Sequence, residues 1–381
     1  MMQQVSFAKP DCGNEEAEAA ADVIRSGWIV GGPRLREFEQ GLADYCGVSE
    51  AIGVSSWTTG AFLVLHAWGL RPGDEVIVPS LSFIASANVV AHTGATPVFA
   101  DVDPKTWNID PADVERRITA RTKAIIPVDQ TGLPCAIEEI NTVAQSHGLR
   151  VLQDCACAIG SRYHGRPVGG LSEVSAFSFH ARKILTTAEG GTVLTDDRDL
   201  AARLRQLRHQ GMNLSDYDRS KASPTTFEEY GEIGFNFRLT DIQAAIGLVQ
   251  FKRLEGMLAR RRAVAQRYTK QLRQCPLFDF PYIPPGMTPN WQSYWIAVRP
   301  DSPIDRNEIM EHLHERGVPT RRGVMASHLE PAYAEMKASL PHTEDLARRG
   351  LQLPIHSCLT EREQDHVLEA LDEVVNDVAG R

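Results

Sequence analysis

Short runs of β-branched and other apolar residues recur between residues 75 and 195, each separated from the next by a stretch of mixed polarity long enough for a helix. The runs at 75–79, 97–100, 123–128, 150–154, 175–179 and 191–195 are nearly continuous in apolar character. Strands of that kind belong to a sheet covered on both faces, so the pattern predicts an α/β domain with a mostly parallel sheet over roughly residues 50 to 200. Upstream, Asn14 is placed to cap a helix that begins Glu15-Glu16-Ala17 and ends at Gly27. Downstream, Ile242, Ala245, Ile246, Val249 and Leu254 repeat at helical spacing in a long element that runs toward Arg260 and links two domains. The proline-rich stretch 275–290 predicts irregular chain, and 293–298 resumes strand character. Asp305 with Glu308, and Thr360 with Glu363, have capping-box spacing ahead of apolar-periodic stretches. These later elements predict a smaller C-terminal α/β domain, which divides the chain into 1–255 and 256–381.

Composition narrows the partners rather than the fold. The 381 residues suffice for a large core plus a second domain, and 43% hydrophobic content is ordinary for a water-soluble enzyme. A formal net charge of −9, with no basic block beyond Arg260-Arg261-Arg262, argues against nucleic acid or an anionic membrane surface. Residues 1–11 lack the basic stretch and apolar run of a secretory signal, and no apolar run approaches bilayer length; the expected location is the cytoplasm. Seven scattered cysteines do not suggest a disulfide framework, and Cys155 and Cys157 lack a second ligand pair, so no metal site is expected.

Chemistry enters with Asp154 at a strand end and Lys183 just beyond the next buried strand. A pyridine nitrogen is a strong electron sink only while protonated, and a carboxylate opposite it stabilises that form. The pairing therefore suits pyridoxal 5′-phosphate, with Asp154 at the ring nitrogen and Lys183 as the amine that joins the aldehyde carbon. Taken singly, Asp154 reads as a cap or surface carboxylate and Lys183 as a solvated lysine. Ser178 and the turn Ser56-Trp57-Thr58-Thr59 offer hydroxyls and N–H groups to a phosphate, particularly if 58–60 opens the helix preceding Gly69. Phe83 suits either a stacking ring or a core aromatic. Asn236 and Arg238 are donors for phosphate or carboxylate, or caps of the following helix. The small residues in 188–191 permit a tight return into the next strand.

The run Phe177-Ser178-Phe179-His180-Ala181-Arg182-Lys183-Ile184-Leu185-Thr186-Thr187-Ala188-Glu189-Gly190-Gly191 closely resembles the nucleotide-sugar aminotransferases of the DegT/DnrJ/EryC1/StrS family. Ser26-Gly27-Trp28, Pro72-Gly73-Asp74-Glu75-Val76, Gly234-Phe235-Asn236-Phe237-Arg238-Leu239 and Leu353-Pro354-Ile355-His356 extend the resemblance over nearly the whole chain. It implies a fold-type I, pyridoxal phosphate-dependent transferase, and a homodimer whose active sites take residues from both subunits. It also implies that Lys183 is the Schiff-base lysine and proton shuttle, that Asp154 pairs with the pyridinium and that Phe83 lies against the ring. Thr58 and Ser178 match phosphate-binding positions, with backbone near Trp57 contributing, and Asn236 reaches the phosphate from the neighbouring chain. The implied reaction is ping-pong transamination from L-glutamate to a keto-sugar nucleotide.

Several residues depart from that pattern. Trp57 replaces a small residue, which predicts a displaced phosphate turn or a narrowed pocket. Asp129-Gln130-Thr131-Gly132 stands where a histidine and an aromatic residue are common, and Cys157 where a glutamine or histidine is frequent near the cofactor oxygen. Trp28, Asp129, Gln130, Arg238, Arg321, Arg322 and His328 are the substrate-side candidates, the Arg321-Arg322 pair as a diphosphate or carboxylate site. The departures keep a non-nucleotide cyclic ketone, and a cofactor-binding protein without turnover, as competing readings. A related sugar dehydratase is disfavoured, because such enzymes commonly carry histidine where Lys183 stands.

Overall fold

The computed structural model describes residues 4–379. Its large domain is built on seven strands: β1 (Glu50–Val54), β2 (Glu75–Pro79), β3 (Thr96–Ala100), β4 (Thr122–Ile125), β5 (Arg150–Asp154), β6 (Val174–Ser178) and β7 (Gly191–Thr195). They lie in the order β1-β7-β6-β5-β4-β2-β3. The strands from β2 to β6 pair in parallel, as their continuous apolar character predicts, whereas β7 runs antiparallel to both β1 and β6. Chain length explains the reversal. Residues 179–190 contain no helix, and a parallel return to the same sheet requires a longer crossover, usually a helical one.

Helices α1 (Asn14–Ser26), α2 (Pro33–Cys46), α3 (Trp57–Ala67), α4 (Ala85–His92), α5 (Ile137–Ser146), α6 (Arg198–Leu207) and α7 (Asp241–Leu272) surround this sheet. One buried cluster joins Phe38 and Leu42 of α2, Ile137 and Ile140 of α5 and Leu254 of α7 to Ile77, Ile125 and Phe177 of the strands. The other face packs Leu63 and Leu65 of α3, Val89 of α4 and Leu204 of α6 on Ile52, Val78 and Leu152. The first helix departs from expectation at its start: Gly13 is the N-cap, and Glu16 Oε2 accepts from the Gly13 N–H at 2.7 Å, so Asn14 is a helical residue and not the cap. Its end is as expected, with Gly27 left-handed at φ 77°.

The C-terminal domain has a four-stranded antiparallel sheet, β8 (Phe278–Asp279), β9 (Tyr294–Val298), β10 (Arg321–Arg322) and β11 (Gly350–Leu353), in the order β8-β9-β11-β10. Helices α8 (Arg306–Glu315) and α9 (Glu361–Ala379) start at the two expected capping boxes. The proline-rich stretch holds only two-residue strands. Helix α7 passes unbroken through position 255, with Met257 and Leu258 in the large-domain core and Val264, Ala265 and Tyr268 in the small-domain core. Val5 also packs in the small-domain core, and its N–H donates to Gly317 O at 3.1 Å. The N-terminal segment thus reaches beyond the domain to which its position in the chain assigns it. All seven cysteines are free. Among the described residues, no helix is long and apolar enough to cross a membrane.

The start of α7 fastens the start of α2 beneath the sheet edge. Asp241 is buried, and its carboxylate accepts from the N–H groups of Gly32 (2.7 Å), Leu35 (2.9 Å) and Arg34 (3.2 Å). These are donors that a helix N-terminus leaves unpaired. Asp241→Ala is expected to destabilise the protein by about 2–4 kcal/mol, because three N–H groups lose a charged acceptor and two of the lost bonds are buried. Urea unfolding of the cofactor-free protein measures this directly.

Candidate active site

Chemistry-bearing residues gather at the C-terminal ends of the parallel strands, where open α/β sheets bind ligands. At the end of β5, Asp154 is 4% exposed; its Oδ2 accepts from Ser86 Oγ at 3.0 Å and its Oδ1 from the Ala156 N–H at 3.0 Å. Burial pushes this carboxyl up to about 6, opposed by the Ala156 hydrogen bond and the Lys183 charge and assisted by Asp129. Among the described residues no cation contacts it in an ion pair. A carboxylate held this way fits a cationic ring nitrogen, which would replace the missing counter-charge. The Ser86 bond also ties α4 to β5, and the Ser86 N–H donates to Phe83 O at 3.1 Å, bringing the Phe83 loop to the same edge. Phe83 itself is 70% exposed, available to cover a planar ligand rather than packed in the core.

The loop 179–190 carries Lys183 and is drawn together at its neck. Phe179 N–H donates to Gly190 O (2.8 Å), while the Thr187 N–H and Thr186 Oγ1 both donate to Phe179 O at 3.0 Å. Lys183 Nζ lies 3.0 Å from Cys157 Sγ. The amine therefore meets a thiol at the position where the sequence departs from the expected amide or imidazole.

An anion cradle adjoins this loop. Val54 and Ser178 both lie beside Gly191 in the sheet register, aligning the ends of β1 and β6 with the start of β7. A Cβ on Gly191 would come within 2.6 Å of Ser56 C and Trp57 N, so only glycine lets the helix mouth approach β7 this closely. Ser56 caps α3 by accepting from the Thr59 N–H at 3.1 Å, which leaves the first-turn N–H groups of Trp57 and Thr58 for a phosphate. The Trp57 side chain is 5% exposed within the core and the capping is regular. The indole thus packs into the core, and the helix mouth beside it is regularly capped.

The substrate-side candidates lie in several different surroundings. Asp129 is wholly buried: Cys135 N–H donates to it at 2.9 Å, Gln153 Nε2 donates to both oxygens, and burial raises its carboxyl to about 6. Its oxygens are engaged by these protein donors. Gln130 is also committed, donating its side-chain amide to Leu81 O and so bracing the Phe83 loop. His328 is 4% exposed, with Nδ1 2.6 Å from Ser80 Oγ and Nε2 3.4 Å from Glu344. Arg322 pairs with Glu330 at 3.3 Å, and the Arg321 guanidinium lies over Phe7 at 5.6 Å. This disperses the proposed cationic pair. Trp28 packs edge-on against Tyr217 at 5.6 Å. Arg238 meets His209, whose imidazole is held below its usual range by burial and by that guanidinium. Both line a cleft of about 570 Å³ between α2, α6 and the segment 209–218. Asn236 is exposed, on a segment that extends the open edge of β1 through Ser55 N–H to Phe237 O at 2.8 Å.

Sequence reasoning did not single out Ser86, Gln153, Asn290 or Gln292, all of which support the site through hydrogen bonds between distant parts of the chain. Ser82, bonded to Ser86 at 3.0 Å, offers a local signal: a serine pair four residues apart beside the Phe83 loop would have drawn attention to Ser86.

Known proteins match along nearly the whole chain. GDP-perosamine synthase of Caulobacter vibrioides is 40% identical over 378 residues, covering 98% of this chain and 99% of that protein. The spore coat polysaccharide biosynthesis protein SpsC of Bacillus subtilis is 36% identical over 375 residues, covering 97% and 96%. The crystal structure of the aminotransferase TlmJ from Streptoalloteichus hindustanus superposes with a TM-score of 0.91 at 33% identity, covering 100% of both chains. The family model for DegT/DnrJ/EryC1/StrS aminotransferases matches residues 10–372. With this fold and this span of similarity, the chain belongs to the DegT/DnrJ/EryC1/StrS family of pyridoxal phosphate-dependent aminotransferases acting on nucleotide sugars.

Proposed function

We propose that this protein moves an amino group from L-glutamate to a keto-sugar nucleotide in two half-reactions, with pyridoxal 5′-phosphate held at the C-terminal edge of the large sheet. The observation that carries this reading is the buried Asp154 carboxylate, without a contacting cation, on the same edge as the Lys183 amine and the α3 helix mouth. Bound there, the cofactor supplies an electron sink for the carbon that loses a proton. Asp154 stabilises the protonated ring nitrogen, and the Trp57 and Thr58 N–H groups with Ser178 hold the phosphate. Lys183 would be the amine that holds the aldehyde carbon in the resting enzyme, with water as the leaving group; once the donor's amine displaces it, the freed Nζ is placed to take a proton from the donor's α-carbon and to return one to a neighbouring position. In the second half-reaction the same amine moves protons in the reverse sense. Cys157 Sγ, beside Nζ, accepts a hydrogen bond from the free amine. The retained Lys183 favours transamination over dehydration.

We extend the reading to a homodimer with shared sites. Asn236 follows a segment on which Phe227, Tyr230 and Ile233 are 80%, 60% and 89% exposed, apolar area that a second copy would cover. From that position Asn236 serves the neighbouring subunit's phosphate rather than its own.

Purified protein loaded with the cofactor is expected to lose its visible absorption on addition of L-glutamate and to release 2-oxoglutarate; no half-reaction with any amino donor rejects the proposal. The pyridoxamine form, offered keto-sugar nucleotides and simple cyclic ketones in parallel, should aminate a nucleotide-linked acceptor, with products resolved by mass. Lys183→Ala should abolish borohydride-stable attachment of the cofactor and both half-reactions. Asp154→Asn should still bind it but slow proton removal at least about a hundredfold.

Stability tests Asp154 from the opposite direction. Its folded value of about 6 lies above the ordinary 3.8, so folding favours the neutral form, and the cost of ionising it grows as pH rises through that window and is fully present above it. Cofactor-free Asp154→Asn is therefore expected to match wild type near pH 4 and to be about 1–3 kcal/mol more stable at pH 7, by denaturant titration at both pH values. Ile233→Glu should weaken self-association at least about tenfold, measured by sedimentation, since it places a charge where an apolar side chain is buried between copies.

A further inference from the structure

Lys183 can work only if its side chain leaves the backbone in the right direction, and one side chain from a distant part of the sequence holds the peptides on both sides of it. Gln292 Nε2 donates to Arg182 O at 2.8 Å, and Gln292 Oε1 accepts from the Ile184 N–H at 3.1 Å. A primary amide is the neutral side chain that presents a donor and an acceptor side by side. Both are used here, and they straddle Lys183.

The residues around Gln292 hold the opposite wall as well. The Gln292 N–H donates to Asn290 Oδ1 at 2.8 Å, and Asn290 Nδ2 donates to the carbonyls of Cys157 and Ile159, each at 2.8 Å. Asn290 is 1% exposed, and its own N–H donates to Ser161 Oγ at 3.1 Å. The strap 290–292 therefore grips the backbone of Cys157 with one amide and the backbone flanking Lys183 with the other, and these two side chains meet at 3.0 Å. Between the amides, Trp291 sits at φ 59°, a conformation that bulky residues adopt only where the surroundings impose it. Arg261 of α7 supplies part of that imposition, with Nη1 donating to the carbonyls of Trp291 (3.0 Å), Gln292 (3.3 Å) and Ile355 (3.2 Å).

We infer that Gln292 is a positioning residue for Lys183: its amide fixes the two peptides beside the lysine and so sets the line along which Nζ approaches the aldehyde carbon. Asn290 fixes Cys157 on the same strap, so the amine and the thiol keep a common reference. This role rests on the reading of Lys183 as the amine that takes the cofactor. Gln292 is only half-buried, so its replacement tests the clamp without emptying a core.

Two full-length variants separate the outcomes. Gln292→Met keeps the length and shape but makes neither bond; Gln292→Glu keeps an acceptor for Ile184 and sets a second oxygen against Arg182 O. In the cofactor-free protein, hydrogen exchange of the peptide spanning 180–187 is expected to rise about tenfold in the Met variant while strands β5 and β6 are unchanged. The Glu variant should stay closer to wild type, because the Ile184 bond survives. In the loaded enzyme, the pH midpoint of the visible absorption should move by more than about half a unit in the Met variant, and kcat should fall at least about tenfold with little change in donor KM. Wild-type exchange in both variants overturns the clamp. Faster exchange with an unmoved spectral midpoint and unmoved kcat overturns the positioning role and leaves a merely structural one. If borohydride fails to fix the cofactor on Lys183 of the wild type, the proposed function falls, and the exchange measurement still decides whether the clamp exists.

Discussion

A carboxyl kept from water without a contacting cation is the constraint around which the sheet edge is organised. Asp154 receives one side-chain and one backbone hydrogen bond, enough to keep it ordered but not enough to restore its ordinary acidity. Folding alone gives no return on that arrangement, since a buried unpaired charge opposes stability. It becomes favourable when a cation arrives, so the protein holds part of its binding energy as an unsatisfied electrostatic demand. The same edge also presents the α3 helix mouth, the Lys183 amine and the exposed Phe83 ring.

The reversed strand β7 makes this assembly compact. By returning directly from the lysine loop it brings Gly191 between the ends of β1 and β6, and the missing side chain lets the α3 N-terminus approach. A helical crossover in place of residues 179–190 would have moved the lysine loop away from the helix mouth. Loop length, strand direction and one glycine therefore act together, and none of them alone defines the site.

Much of the fold could be read from the sequence because strands buried on both faces leave continuous apolar runs; β2, β5 and β7 begin and end where those runs do. Strand β1 was less legible, since Gly53 interrupts a short segment that starts with a charge. Periodicity carries no information about direction, so the reversal of β7 could be recovered only from the shortness of the loop before it. Asp154, Lys183 and the opening of α3 could be singled out as candidates because strand ends and caps have local signatures. The enclosure of Asp129 and His328 was not legible, because a polar residue in a connecting segment reads the same whether or not protein partners surround it. Their partners, Gln153 in β5 and Ser80 just past β2, come from elsewhere in the chain. Gln292 had no signal at all: its two contacts lie more than a hundred residues away in the chain.

Helix α7 contributes side chains to both hydrophobic cores, and Val5 carries the beginning of the chain into the smaller one. The two lobes therefore share one helix as part of their packing. The same rod anchors the strap 290–292, through Arg261 Nη1 to the carbonyls of Trp291 and Gln292. The strap in turn holds the peptides on both sides of Lys183, so the helix that joins the lobes is also tied to the lysine loop.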